Sequence, residues 1–159
     1  AAATKGGARL HLTSGAIGGL DALRGARAGG IQAVSYTGRK PPQGWVGSPA
    51  ETVLDLAALT APAVHFSGTA RQAALAYPKN ANVAAAVALA GAGFEKTQVT
   101  LIADPTVASN IHEVRAEGAF GQFQFTISGN GLPDNPRSSA LAAMSVVSDL
   151  VERQKPIGF

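Results

Sequence analysis

The sequence predicts an α+β domain, with a mixed, largely antiparallel sheet covered on one face by helices. Three observations predict it. The chain has 159 residues, 46% hydrophobic and 14% charged, which suits one domain with a real core and not a disordered chain. Apolar residues recur at helical spacing over residues 20–28 and 139–153. Strand-like alternation recurs three times in succession, at 98–103, 111–116 and 122–128, which argues against a doubly wound order.

The elements follow in order. Residues 9–13 alternate polar and apolar and read as a short strand, ended by the small-residue turn 13–19. Leu20, Leu23 and Ala26 begin a helix that Gly29-Gly30 stops. Residues 31–37 read as a strand, broken by Gly38-Arg39-Lys40-Pro41-Pro42, and Trp45 falls in the loop beyond. Residues 50–59 suggest a short helix and 63–66 a strand. Thr69 offers a cap for a helix to Tyr77, which Pro78 interrupts. Residues 83–92 are nearly all small and apolar, the composition of a buried helix. The three later strands look like successive antiparallel neighbours, and residues 139–153 form an amphipathic helix striped by Leu141, Met144, Val147 and Val151.

Composition excludes several classes of function. No apolar run approaches the roughly 18 residues of a membrane-spanning helix. Cysteine is absent, so disulfides, thiolate metal sites and cysteine nucleophiles are excluded, and a reducing, cytoplasmic setting is expected. The net charge of +3 is scattered, so neither a nucleic acid nor a membrane is an expected partner. The chain does not start with Met, and its first residues lack the apolar core of a signal peptide. A piece of a longer protein is expected.

Four places carry chemistry. Gly15-Ala16-Ile17-Gly18-Gly19 sits where a phosphate loop would, between strand and helix. Its spacing is neither G-x-G-x-x-G nor a Walker loop, which favours a tight packing turn over a phosphate loop. His11 and His65 lie in strand-like contexts and read as structural or exposed. His112 follows a polar approach to a strand and presents an imidazole suited to proton transfer. Pro78-Lys79-Asn80-Ala81-Asn82 and Asp134-Asn135-Pro136-Arg137-Ser138-Ser139 are polar clusters at helix starts, explained by capping or by an anionic ligand. Arg39-Lys40 reads as a solvated turn or as a further cationic element. No His pair at ligand spacing supports a metal.

These strings, with Tyr36-Thr37-Gly38-Arg39-Lys40-Pro41-Pro42, Ile102-Ala103-Asp104-Pro105 and Asn110-Ile111-His112-Glu113, resemble the C-terminal domain of the L-aspartate dehydrogenase family over about residues 9–152. The resemblance implies NAD(P)-dependent oxidation of L-aspartate to iminoaspartate. That product feeds NAD biosynthesis or hydrolyses to oxaloacetate and ammonia. It implies His112 as the catalytic residue and Ala16 and Asn82 as contacts to NAD or NADP. Lys79, Arg137 and Lys40 are the candidate carboxylate partners, in that order. It also implies that residues 1–159 form a substrate-binding, catalytic and dimerisation domain, partnered by an N-terminal Rossmann half that this chain lacks. Two readings compete: a small α+β hydrolase or lyase with His112 as base, and a non-catalytic dimerisation or small-anion-binding module.

Overall fold

A computed structural model describes residues 2–157; the side chains of Pro136 and Arg137 lie outside the described set. Among the described residues the chain order is α1 (Ala2–Lys5), α2 (Leu20–Ala28), β1 (Ile31–Lys40), β2 (Ala63–Thr69), α3 (Ala70–Ala76), α4 (Asn82–Ala90) and β3 (Thr97–Ala103). There follow β4 (Asn110–Gly118), β5 (Gly121–Gly129), the small pair β6 (Gly131–Leu132) and β7 (Asn135–Ser139), and α5 (Ala140–Glu152).

β1 is the axis of the main sheet, whose strand order is β2-β3-β1-β4-β5. It pairs in parallel with β3 and antiparallel with β4, while β2–β3 and β4–β5 are antiparallel. A parallel neighbour needs a crossover, and β2, α3 and α4 supply it. The expected mixed, largely antiparallel α+β sheet is therefore present. Of the three late strands, β4 and β5 adjoin antiparallel as expected, and the expectation that β3 and β4 adjoin is corrected. β1 lies between β3 and β4, because the alternating apolar faces of all three can be buried only in one shared sheet.

Burial separates the two faces. Val34 and Tyr36 of β1, Val99 and Leu101 of β3, and Val114 and Ala116 of β4 are buried. On the opposite face Ala33, Gln98, Arg115 and Glu117 are exposed. The helices cover the first face. Leu23 of α2 and Ala84, Val87 and Ala88 of α4 join its core, and small side chains let α4 lie close to the sheet. α3 opens with the expected Thr69 cap: Gln72 N–H donates to Thr69 Oγ1 and the Gln72 side chain accepts from Thr69 N–H.

Four local expectations change. Residues 8–14 pair with no strand, and Leu10 and Leu12 are exposed. The alternation there reflects no sheet, because the segment instead follows α5: Gly15 N–H donates to Ser145 Oγ (3.1 Å), and His11 pairs with Asp149 (2.8 Å). β1 does not break at Gly38 but continues through Lys40, its residues laddered to β3 and β4. The suggested helix at 50–59 shortens to a 3-10 turn, Pro49–Thr52. Asp55 then turns its carboxylate onto the backbone N–H groups of Ala57 and Ala58 and diverts the chain. The polar cluster at 134–139 lies largely in β7 and leads straight into α5, with Ser139 at the N-cap position. α5 has no buried residue, and Met144, Val147, Leu150 and Val151 are exposed.

Candidate active site

His112 enters the core because of register. It lies on the buried phase of β4, opposite Gly38 of β1 and Ile127 of β5, and is 5% exposed. Tyr36 lies two residues before Gly38 on the same face of β1, diagonal to His112. Its Oη and His112 Nδ1 share a hydrogen bond of 2.8 Å. Gly38 makes this bond possible. A Cβ there would stand 2.7 Å from Tyr36 Oη, so only the missing side chain leaves room for the hydroxyl. The glycine that reads as a strand breaker is the space through which tyrosine reaches histidine.

Lys40 supplies the charge. Its Nζ lies 4.8 Å from the centre of the Trp45 ring. Trp45 is fully buried and donates from Nε1 to the Ile102 carbonyl (3.0 Å). The Trp45 ring meets the His65 ring edge-on with centroids 4.3 Å apart, and His65 Nδ1 and Tyr77 Oη share a hydrogen bond of 3.1 Å. His65 sits where the β2–β3 register shifts, between Val64 and Phe66, which turns its ring inward. It is 6% exposed, so of the two readings given to it, structural or exposed, exposure is excluded.

The electrostatics follow from burial. Desolvation, with the Lys40 charge second, pushes the pKa of His112 down to about 4 and that of His65 down to about 4. Both imidazoles are neutral at neutral pH. Burial also lowers the pKa of Lys40 and raises those of Tyr36 and Tyr77, so both phenols remain protonated. The end of β1 is anchored. Asp104 N–H donates to the Lys40 carbonyl (2.9 Å), and the buried Asp104 carboxylate pairs with Arg39 (2.5 Å). Thr106 donates to the same carboxylate from N–H (2.8 Å) and Oγ1 (2.7 Å). These Thr106 bonds, aided by Arg39, hold the Asp104 carboxyl below its ordinary pKa against the opposing effect of burial.

The other expected residues sit around this centre in different ways. Ala16 lies in the turn bounded by Gly15 (φ 66°) and Gly19 (φ 69°), a left-handed backbone that favours glycine. The turn packs on β5: a Cβ on Gly18 would lie 3.5 Å from Ile127, the strand partner of His112. Asn82 is the exposed first residue of α4, whose amino end no side chain caps. Free N–H groups at that end and an open glycine turn suit the polar edge of a nicotinamide nucleotide, so both positions fit a contribution to a cofactor site. Lys79 is exposed on the turn after Tyr77. The side chain of Arg137 lies outside the described residues, and its backbone is in β7. Among the described residues no group of three His, Asp or Glu is placed to hold a metal. No helix among them is long and apolar enough to cross a membrane.

Sequence reasoning missed Tyr36, Gly38, Trp45, His65 and Tyr77 as parts of the site. The period-two spacing of Val34, Tyr36 and Gly38, and of His112, Val114 and Ala116, placed each trio on one face. No local signal paired the two faces.

The family model described as "Aspartate dehydrogenase, C-terminal" matches residues 21–153. The chain belongs to this family. It is 66% identical over 152 residues to the L-aspartate dehydrogenase of Ruegeria pomeroyi, covering 96% of this chain and 55% of that protein. It is 57% identical over 153 residues to the L-aspartate dehydrogenase of Ralstonia pickettii, covering 96% and 57%. The crystal structure of aspartate dehydrogenase from Thermotoga maritima matches with a TM-score of 0.74 and 34% identity, covering 96% of this chain and 56% of that one. The chain thus spans a little over half the length of these relatives. His112 and its tyrosine form one of the buried polar pairs of this domain, 5% and 2% exposed.

Proposed function

We propose that this domain supplies the substrate-binding and catalytic half of an NAD(P)-dependent L-aspartate dehydrogenase, acting with an N-terminal dinucleotide-binding half as a cytoplasmic homodimer. The observation that carries the reading is a buried, neutral His112, oriented by Tyr36, within the field of the Lys40 ammonium. L-Aspartate brings two carboxylates and an ammonium group. Oxidation at Cα requires the nitrogen to shed a proton before its lone pair can form the C=N bond. A neutral imidazole accepts that proton. With Nδ1–H donating to the Tyr36 oxygen, the lone pair lies on His112 Nε2, the nitrogen left for substrate. Lys40 takes a substrate carboxylate; Lys79 and Arg137 are further candidates for the second. Pairing Lys40 with a carboxylate cancels part of the field that depresses His112 and makes it a better base when substrate is bound.

When bound, a nicotinamide coenzyme supplies the acceptor for the hydride that leaves Cα. The backbone at Ala16 and the amide of Asn82 would hold its nicotinamide end. The product, iminoaspartate, serves NAD biosynthesis or hydrolyses to oxaloacetate and ammonia.

The test joins this domain to its N-terminal half and follows L-aspartate-dependent reduction of NAD+ and NADP+. His112→Ala should lower kcat by about 100- to 10,000-fold with the fold intact by circular dichroism. Full activity in that variant would remove His112 from the chemistry. No aspartate-dependent reduction by the unmutated enzyme would favour a binding or dimerisation module.

A further inference from the structure

We infer that Trp45, held by His65 and Tyr77, is a positioning residue that fixes the Lys40 ammonium beside His112 and thereby sets affinity for a dicarboxylate. The inference rests on the proposed role of Lys40 as a carboxylate partner. A lysine at the end of a strand ordinarily extends into water, and ordering its long side chain is entropically unfavourable. Lys40 instead places Nζ over an indole face, where the ring quadrupole attracts a cation.

The indole is itself immobilised. Its Nε1–H is bonded to the Ile102 carbonyl of β3, which lies opposite Arg39 in the ladder, so the ring is referenced to the same backbone that carries Lys40. His65 braces the ring edge-on at 4.3 Å, and Tyr77 stands against it at 6.1 Å. Tyr77 in turn precedes α4: its carbonyl accepts from the N–H groups of Asn80 and Ala81 (2.9 Å each), immediately before Asn82. The brace therefore joins the strand bearing the cation to the helix start proposed for the coenzyme.

His65 carries a second, independent sign. Its Nε2 is buried and has no hydrogen-bond partner among the described residues. A ring nitrogen without a partner is unfavourable in a core made only for packing, where an apolar residue would serve better. With Nδ1–H donating to Tyr77, Nε2 keeps its lone pair, the tautomer that a neighbouring ammonium favours. Lys40 lies two residues beyond Gly38, the strand partner of His112, on the same phase of β1, and its Nζ stands over the indole that His65 braces.

The experiment uses the complete two-domain enzyme with Trp45→Leu, Trp45→Phe and Lys40→Met. It measures KM for L-aspartate, KM for the coenzyme, kcat, and the Kd of succinate by calorimetry. Trp45→Leu should raise the aspartate KM and the succinate Kd about tenfold and leave the coenzyme KM within about twofold. Trp45→Phe, which keeps an aromatic face, should recover most of the loss; if the leucine variant does not fold, the phenylalanine variant alone should show about a threefold rise. In the Lys40→Met background Trp45→Phe should add nothing, since the interaction it weakens is gone. Unchanged dicarboxylate affinity in the Trp45 variants would overturn the inference, as would equal losses in both KM values and in both backgrounds. An inactive His112→Ala enzyme with normal succinate binding in Lys40→Met would sink this inference and leave the proposed reaction standing. An active His112→Ala enzyme would sink that reaction first.

Discussion

Two buried histidine–tyrosine pairs occur in this domain, and they are built differently. Tyr36–His112 joins two central strands, pinned by ladders on both sides of β1 and of β4. His65–Tyr77 joins an irregularity in the edge strand β2 to the residue that ends α3. The first pair bonds through His112 Nδ1 and is seated by a missing side chain at Gly38. The second is walled in by Trp45 and Phe66. Equal chemistry therefore does not imply equal roles. A rigid sheet suits the group that must meet a reacting atom, and a packed aromatic corner suits the group that steadies another.

Three perturbations sharpen the comparison. The largest effect should come from acid. Both imidazoles have folded pKa values near 4 against an ordinary 6.5. Between these values the unfolded chain binds more protons than the folded one, so stability is complete above about 6.5 and is lost as pH falls toward 4. The combined loss should be on the order of several kcal/mol. Thermal unfolding of the domain from pH 7 to pH 4 checks it, and replacing either histidine by glutamine should flatten the slope by about half. Unchanged melting over that range would mean that neither ring is buried in neutral form.

Next comes Gly38→Ala. Its Cβ would lie 2.7 Å from Tyr36 Oη, so the hydroxyl must leave His112. A destabilisation of about 1–3 kcal/mol is expected in denaturant titration, with kcat of the complete enzyme falling more than tenfold. Activity retained at the unmutated level would show that the Tyr36 bond does not orient the base. Smallest is Tyr77→Phe, which removes one hydrogen bond from the bracing pair. It should destabilise by about 1 kcal/mol and move the aspartate KM more than kcat. A loss of kcat as deep as that of His112→Ala would erase the distinction between the pairs.

The sequence carried His112 by its residue type and polar approach, and it carried the α+β class by alternation late in the chain. It ended β1 before Gly38, because glycine is a breaker by propensity and becomes a strand residue only where a neighbour's side chain needs its space. It gave His65 no role in a site, because the register shift that turns the ring inward is a property of two paired strands and not of one. The uncovered stripe of α5 was visible in the spacing, yet its exposure was not, since period alone does not tell which face has a partner.

Local chemistry by itself determined where α2, α3, α4 and α5 lie, which residues of β1, β3, β4 and β5 share a face, and which side chains are able to move a proton or carry charge. Those are matters of spacing and residue type within a few positions of chain. Tertiary structure alone decided that Tyr36 meets His112 across 76 positions and that Lys40 stands over an indole braced by His65. The reason is that strand order and register are set by burial summed over the whole sheet, and inserting β1 between β3 and β4 brings together groups that no local pattern connects.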